Sequence, residues 1–171
     1  MKRAIFITAR LKSTRLKRKA LKEINGKPML SHLVNRLRLS NKCQKIVLIT
    51  SNLSDDDDLV SFCEKERIDV FRGDAIDVLE RIKDAAIFYK TETIISCTGD
   101  NPLIDTFYID KMIDFHENNN LDYTNSIGLP IGTFSYILKK DAVIAACKIK
   151  DRNDTEVWGE YFTKTGLFKF D

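Results

Sequence analysis

The alternation of apolar runs with amphipathic segments constrains the fold of this chain more than any other feature of its sequence. Apolar runs that predict strands occupy 3–8, 45–50, 68–73 and 93–100. Segments with apolar residues at helical spacing occupy 29–40, 77–89 and 107–117. Strands that alternate with helices predict an α/β fold, in which a mostly parallel sheet is covered by helices on both faces. Ligands of such folds bind beyond the carboxyl ends of the strands.

Smaller elements are predicted around this core. The stretches 122–126 and 133–138 resemble further strands, and 139–148 resembles another helix. Asn25-Gly26 predicts a turn, and Pro28 marks a helix start. Ser54 is a candidate cap for a helix whose first turn holds Asp55 to Asp58. Four acids at a helix N-terminus are explained by the helix dipole, so we do not interpret them as a metal site.

Length and composition favour one globular domain over residues 1–171. The chain is 43% hydrophobic, and a chain of this length buries roughly 70% of its unfolded surface. The four cysteines are far apart and form no C-x-x-C pair, which predicts reduced thiols with packing roles. No apolar run approaches the ~20 residues that span a bilayer, and the one near the N-terminus is short for a signal peptide. We therefore expect a cytoplasmic protein without membrane contact.

Positive charge is concentrated near the N-terminus. Residues 1–50 contain 14 Lys and Arg against one acid, Glu23, and residues 8–19 alone contain six of these cations. We call residues 8–19 the basic loop. Like charges at close range repel, so this loop predicts an anionic ligand: a nucleotide phosphate, a nucleic acid or a membrane surface. The alternative is a solvated basic surface.

The glycine-rich phosphate motifs G-x-G-x-x-G and G-x-x-x-x-G-K-[ST] are absent from the sequence. Side chains would therefore hold a phosphate group, and Arg10, Ser13, Arg15 and Lys19 are spaced to line the basic loop. Arginine clamps phosphate oxygens with a planar fork, whereas lysine supplies a mobile point charge.

A second unusual loop follows the fourth predicted strand. Its sequence is TGDNPLID, residues 98–105, and we call it the Gly-Asp loop. Gly99 permits close approach of another backbone segment, and Pro102 restrains the turn. A carboxylate at the end of a strand, here Asp100, is a good ligand for Mg²⁺ that also binds substrate phosphates. The alternative is an Asx turn, in which Asp100 caps its own backbone.

The remaining candidates have simpler interpretations. His32 lies in an apolar helical pattern and His116 near a helix end, and neither has a partner that the sequence identifies. Trp158 is most simply a core or interface residue. A nucleic-acid binder is disfavoured because residues 8–27 contain no aromatic side chain on which bases would stack.

Together, the two loops resemble those of a known enzyme family. The stretches ITARLKSTRLKRKALKEINGKPML and TGDNPLID are similar to the sugar-nucleotide cytidylyltransferases, and most similar to the spore coat polysaccharide biosynthesis type. Acylneuraminate and 3-deoxy-manno-octulosonate cytidylyltransferases are more distant relatives. The resemblance covers the whole chain in order, including 69–81 and 151–162.

This resemblance implies a Rossmann-like nucleotide-diphospho-sugar transferase fold. It also implies transfer of CMP from CTP to a sugar or sugar acid, with Mg²⁺ as cofactor and release of pyrophosphate. The implied catalytic residues are Arg10, Lys19 and Asp100, of which Asp100 would bind the metal. The implied nucleotide-binding residues are Ala9, Arg10, Ser13, Arg15, Lys19, Asp77 and Arg81. Relatives are commonly dimers, so we expect a homodimer that binds neither nucleic acid nor a membrane.

Several positions depart from the family pattern. Lys12 replaces a usual Gly, Lys17-Arg18 replaces Pro-Gly, and Phe134 and Tyr136 stand where acids are usual. We also expect the family's C-terminal segment, with its second metal ligand, to be missing beyond Asp171. These departures favour an alternative function, a catalytically inactive nucleotide- or sugar-binding protein on the same fold.

The sequence also predicts particular spatial arrangements. Strands 3–8 and 93–97 should be central, parallel neighbours. Arg10 and Lys19 should converge beside a partly exposed Asp100, whereas Lys12, Lys17 and Arg18 should be solvated. The acceptor pocket should lie around Asn125 to Tyr136. An unpaired sheet edge or an exposed apolar patch should promote self-association.

Overall fold

The computed structural model describes residues 2–12 and 16–171. A mixed six-stranded sheet forms the centre of this part of the chain. A separate two-stranded hairpin contains β2 and β3. In chain order the strands are β1 (Arg3–Thr8), β2 (Glu23–Ile24), β3 (Lys27–Pro28), β4 (Ile46–Ser51), β5 (Asp69–Gly73), β6 (Thr93–Thr98), β7 (Tyr123–Thr124) and β8 (Tyr136–Lys139). The helices are α1 (Met29–Leu37), α2 (Asp57–Glu66), α3 (Val78–Phe88), α4 (Thr106–Asn118), α5 (Lys140–Ile149) and α6 (Glu160–Thr163).

The strand order of the main sheet is β5-β4-β1-β6-β8-β7, with β1 in the interior. β1 is parallel to both β4 and β6, and Arg3 to Thr8 pair in register with Thr93 to Thr98. The prediction that 3–8 and 93–97 are central, parallel neighbours is confirmed. Because these two strands end at the same edge, the basic loop and the Gly-Asp loop leave the sheet side by side.

Helices cover both faces of the sheet, as the alternation of patterns predicts. Ile5 and Ile7 of β1 face one apolar cluster, to which α1, α2 and α4 contribute, and Ala4 and Phe6 face another, formed with α3 and α5. The period-two alternation along β1 thus divides the core into two layers. Because both faces of these strands are buried, their sequences are nearly continuous apolar runs.

The chain departs from a purely parallel sheet at one side. β8 is antiparallel to β6, and β7 is antiparallel to β8. These strands are shorter than the stretches 122–126 and 133–138 from which we predicted them. The Asn25-Gly26 turn is confirmed, with φ of 50° and 71°, and it joins β2 to β3, strands that the sequence pattern did not predict.

The acidic run after β4 differs from its predicted structure. Ser54–Asp56 form a 3₁₀ turn, α2 begins at Asp57, and the Ser54 side chain makes no capping hydrogen bond. Asp55, Asp57 and Asp58 are exposed at this helix start, whereas Asp56 is buried. Asp56 is the N-cap residue of α2, where the helix dipole favours a negative charge, although its side chain makes no capping hydrogen bond there.

Aromatic side chains fill the region beside β7 and β8. Trp158 is buried against Tyr123, Tyr136 and Phe162, with ring centroids 5.4 to 6.3 Å apart. Trp158 is therefore a core residue, one of the two roles expected. Large apolar side chains are exposed elsewhere, including Leu103, Phe107, Phe115, Ile127 and Ile131. Self-association through such side chains stays a prediction.

No helix in the described part of the chain has the length and apolar character needed to cross a membrane.

Candidate active site

Close packing between the basic loop and the Gly-Asp loop defines the candidate site. The Gly99 backbone N–H donates to the carbonyl oxygen of Thr8 across 2.8 Å, which extends the β1–β6 pairing beyond the strands. A Cβ atom at position 99 would lie 2.8 Å from the Cβ of Ala9 and 3.1 Å from the Thr8 carbonyl oxygen. The close approach predicted for Gly99 is confirmed, and it leaves no space for a larger residue.

An ion pair connects the two loops. The Lys19 ammonium lies 2.7 Å from the Asp100 carboxylate, and both side chains are roughly half exposed. Burial raises the pKa of the Asp100 carboxyl, but the hydrogen bond and charge of Lys19 outweigh that effect and lower the pKa below its ordinary value. The predicted convergence of Lys19 on a partly exposed Asp100 is confirmed.

Arg10 does not join this pair, so that part of the prediction is wrong. Its guanidinium donates to the carbonyl oxygen of Ala75 and lies 3.6 Å from the carboxylate of Glu156. The strand order gives the reason. Ala75 follows β5, and Asp100 follows β6, which lie on opposite sides of β1. Arg10 therefore extends across the carboxyl edge away from Asp100.

The other residues of the basic loop have separate places. Ala9 is buried, and its N–H donates to the Ile49 carbonyl oxygen across 3.2 Å. Lys12 and Lys17 are exposed, as predicted. Arg18 is exposed too, but it forms an ion pair with Asp58. Ser13 and Arg15, both expected to bind nucleotide, lie outside the described residues.

Arg18 also has an unusual backbone conformation. Its φ of 56° and ψ of 30° lie in the left-handed region that glycine favours. The family resemblance places a glycine at this position. Arg18 therefore adopts a backbone conformation that a glycine would adopt without strain, and its side chain forms the ion pair with Asp58.

Asp77, another predicted nucleotide-binding residue, has a framework role. Its buried carboxylate caps α3 by accepting from the Glu80 N–H across 2.9 Å. It also accepts from the Thr155 hydroxyl across 2.7 Å and from the Lys150 ammonium. These bonds attach the segment before α6 to the start of α3. Both carboxylate oxygens have protein donors, and direct contact of Asp77 with a nucleotide stays a prediction.

Arg81, one turn further along α3, is a fully buried cation. One guanidinium nitrogen donates to the Asp74 carbonyl oxygen across 2.9 Å, whereas Nε and Nη2 have no hydrogen-bond partner within residues 2–12 and 16–171. Burial lowers the pKa of Arg81 to about 10, and the charge of Arg10 contributes, so the side chain remains protonated at neutral pH. Buried donors without partners are costly, which makes Arg81 the clearest sign of a place for an acceptor group.

The residues present fit a divalent cation. The described part of the chain contains no group of three or more His, Cys, Asp or Glu side chains that would hold a metal ion. What it offers is the half-exposed Asp100 carboxylate beside a cationic loop. Mg²⁺ commonly binds in this way, through one or two carboxylates together with waters and substrate phosphate oxygens.

Comparison with known proteins identifies the family. The cytidylyltransferase family profile matches residues 4–161. The chain belongs to the cytidylyltransferase family. This match confirms the family resemblance inferred from the two loops. Cytidylyltransferases are nucleotidyltransferases. Two similar curated proteins are longer than this chain, which covers 68% of one and 64% of the other.

Individual relatives agree with this assignment. The chain is 35% identical over 153 residues to the spore coat polysaccharide biosynthesis protein SpsF of Bacillus subtilis, covering 87% of this chain and 64% of SpsF. A cytidylyltransferase structure from Leptospira borgpetersenii superposes with a TM-score of 0.89 at 30% identity, covering 99% of this chain and 74% of that one. CMP:2-keto-3-deoxy-manno-octonic acid synthetase complexed with CTP shares the fold, with a TM-score of 0.78 at 16% identity over all of this chain and 89% of its own.

Sequence reasoning missed two residues that the structure places at the site. Glu156 lies beside Arg10, and Asp56 contacts the basic loop. Glu156 falls in the stretch 151–162, which carries part of the family resemblance but no recognised chemical motif. Asp56 is hidden within a run of like acids, and only its burial distinguishes it from its neighbours.

Proposed function

We propose that this site transfers CMP from CTP to a sugar acid and releases pyrophosphate. The observation that carries the proposal is the contact between Lys19 and Asp100, a cation and a carboxylate held together where two central parallel strands end. A nucleoside triphosphate with its metal ion needs both charges in one place. Membership of the cytidylyltransferase family supports CTP as the nucleotide.

The basic loop would bind the triphosphate. A sugar hydroxyl attacks the α-phosphorus and loses its proton to solvent, a new P–O bond forms, and the bond to the bridging oxygen of the leaving pyrophosphate breaks. Negative charge builds on the leaving group, so fixed cations beside it stabilise the transition state. Lys19, Arg10 and Arg15 would supply these cations, and Ser13 would help to hold the triphosphate through its neutral hydroxyl. Their present partners, Asp100 and Glu156, would be exchanged for phosphate oxygens.

Asp100 would hold Mg²⁺, which polarises the phosphoryl oxygens of the substrate when it is bound. Lys19 lowers the pKa of Asp100, so the carboxylate is already ionised at neutral pH before the substrate binds. When Lys19 binds the triphosphate instead of Asp100, the Asp100 carboxylate would be free to bind the metal. The cation and the nucleotide are therefore expected to bind together.

Ala9 and Arg81 would contribute to nucleotide binding from the other side of Arg10. The buried Nε and Nη2 atoms of Arg81 are suited to an oxygen or ring-nitrogen acceptor. Such an acceptor is present on a pyrimidine base as well as on a phosphate. Asp77 would support this region by fixing the start of α3.

The acceptor would bind beside the Gly-Asp loop. The Asp105 N–H donates to the Thr133 carbonyl oxygen across 2.8 Å, which holds the segment before β8 against this loop. Phe134 and Tyr136 follow, with ring centroids 5.9 Å apart. Because Tyr136 pairs with Ser96, these rings flank the carboxyl end of β6. A sugar acid is favoured because the structural relative with bound CTP is named for one.

A nucleotide screen by thermal shift tests the proposal. CTP, UTP, ATP and GTP are each added with and without Mg²⁺. A ligand at ~100 times its dissociation constant stabilises by about 2.7 kcal/mol, which for a domain of this size raises Tm by roughly 5–11 °C. We expect CTP with Mg²⁺ to give the largest rise. Equal responses to all four nucleotides, or none, would contradict the proposal, whereas CTP binding without pyrophosphate release would identify the inactive binding protein.

A further inference from the structure

Asp56 is the most extensively bonded carboxylate of the acidic run that follows β4. It is 2% exposed and accepts from the Leu11 N–H across 2.7 Å, the Thr50 hydroxyl across 2.9 Å and the Ser51 N–H across 3.2 Å. The Ser51 hydroxyl is a further donor. Burial would raise the pKa of Asp56, but these hydrogen bonds outweigh it and lower the pKa, so the buried group is an anion at neutral pH.

One of these donors belongs to the basic loop. Leu11 follows Arg10, and while its N–H binds Asp56, its carbonyl oxygen accepts from the Arg18 N–H across 3.2 Å. Arg18 immediately precedes Lys19. The peptide groups of Leu11 therefore join the two ends of the loop, and Asp56 attaches that junction to the end of β4. The Leu11 side chain is buried as well.

We propose that Asp56 is a positioning residue for the basic loop. Through the Leu11 N–H, its carboxylate sets the separation between Arg10 and Lys19 and thereby the spacing of the two cations that would bind the triphosphate. The inference rests on the proposed function in one respect, the identity of the ligand that Arg10 and Lys19 bind. The anchoring itself is a property of the loop.

The neighbouring acids support this distinction. Asp58 also contacts the loop, through the Arg18 guanidinium, but both side chains of that pair are more than half exposed. Exposed ion pairs contribute little, because water screens them. A buried carboxylate that accepts a backbone N–H fixes geometry far more strongly. Asp58 is therefore a matched control for Asp56, on the same acidic run and the same loop.

The first test compares the steady-state kinetics of Asp56→Asn and Asp58→Asn. The amide in Asp56→Asn keeps one acceptor oxygen. Because Oδ2 of Asp56 has three donors, from Thr50 and Ser51, and Oδ1 has only the Leu11 N–H, the remaining oxygen should face Thr50 and Ser51, and the NH₂ group then faces the Leu11 N–H and releases it. We expect the KM for CTP to rise about ten-fold, because one hydrogen bond that holds the binding loop in place is lost, with the KM for the sugar acid unchanged. Asp58→Asn should change both by less than two-fold. A lower kcat with an unchanged KM for CTP would indicate a merely structural residue and overturn the proposal.

The second test is hydrogen exchange at the Leu11 amide, which does not depend on any activity. Asp56→Asn should abolish protection at Leu11 while the β1 amides of Ile5 and Ile7 stay protected. Absence of turnover in the wild-type protein would refute the proposed function, and exchange would still decide the anchoring. If Asp56→Asn does not fold, Ser51→Ala removes one donor to the same carboxylate and should raise the exchange rate at Leu11 about three-fold. Unchanged exchange at Leu11 in the folded variant would overturn the proposal.

Discussion

Replacement of Gly99 by alanine tests the close contact between the basic loop and the Gly-Asp loop. The added Cβ would lie 2.8 Å from the Ala9 Cβ and 3.1 Å from the Thr8 carbonyl oxygen. Carbon atoms in contact are ordinarily about 3.5–4.0 Å apart, so the loops must separate by roughly 1 Å. Both obstacles belong to the backbone or to a Cβ, and neither can move by a rotamer change.

The expected cost follows from overpacking. Forcing an extra methyl group into a packed site costs about 1–3 kcal/mol, which corresponds to a fall in Tm of roughly 2–12 °C here. A misplacement of about 1 Å between reacting groups lowers the rate by about 10²-fold. Gly99→Ala should therefore lose both stability and turnover, measured by thermal melting and by pyrophosphate release.

Two variants control this prediction. A Cβ at Gly159 would meet its nearest atom, the Tyr123 hydroxyl oxygen, at 3.5 Å, an ordinary contact, so Gly159→Ala should leave Tm and turnover unchanged. Adding Ala9→Gly to Gly99→Ala removes the closest clash and should restore part of the lost stability. A Gly99→Ala protein with the Tm and turnover of the wild type would refute the reasoning.

Two further predictions concern charge. Lys19→Ala should lower turnover by about 10²–10³-fold, because a fixed cation beside the leaving group is lost, whereas the exposed Lys17→Ala should change it little; similar effects in steady-state kinetics would mean that the basic loop is only a solvated surface. His116 is buried against the Thr124 hydroxyl, and burial lowers its pKa to about 4. The unfolded chain takes up a proton near pH 6.5 and the folded one does not, so stability is full above pH 6.5 and falls by roughly 3 kcal/mol toward pH 4. Urea unfolding at several pH values should show a smaller loss of the free energy of unfolding toward pH 4 in His116→Gln than in the wild type, and the wild-type loss in His32→Gln. An equal loss in His116→Gln and the wild type would contradict the assignment.

The sequence predicted the elements that depend on local pattern and strand burial. β1 (Arg3–Thr8) and β6 (Thr93–Thr98) are mostly apolar, as is typical of strands at the centre of a sheet, and the loops that follow them then had to meet. The contact between Lys19 and Asp100 followed from that adjacency. The antiparallel β8 was not predicted as such, because a short strand has no local signal for its direction.

Side-chain partners were less predictable. The position of Arg10 depends on Ala75 and Glu156, which lie 65 and 146 positions away in the chain, so no spacing rule identified them. The burial of Asp56 depends on the position of Leu11, whose N–H donates to it, and this tertiary contact cannot be predicted from a run of four acids. Patterns along the chain predicted which loops form the site, whereas contacts across the sheet decided the partners.

Pyrophosphate release, measured for the wild type, Asp100→Asn and Asp58→Asn, tests the central claim most directly. The substrates are CTP, a divalent cation and a panel of 2-keto sugar acids that includes 3-deoxy-manno-octulosonate. We predict release from the wild type and Asp58→Asn only when CTP, the cation and a sugar acid are all present, and its loss in Asp100→Asn with the fold retained. Release without a sugar acid, or release by Asp100→Asn at the wild-type rate under saturating cation, would contradict the account.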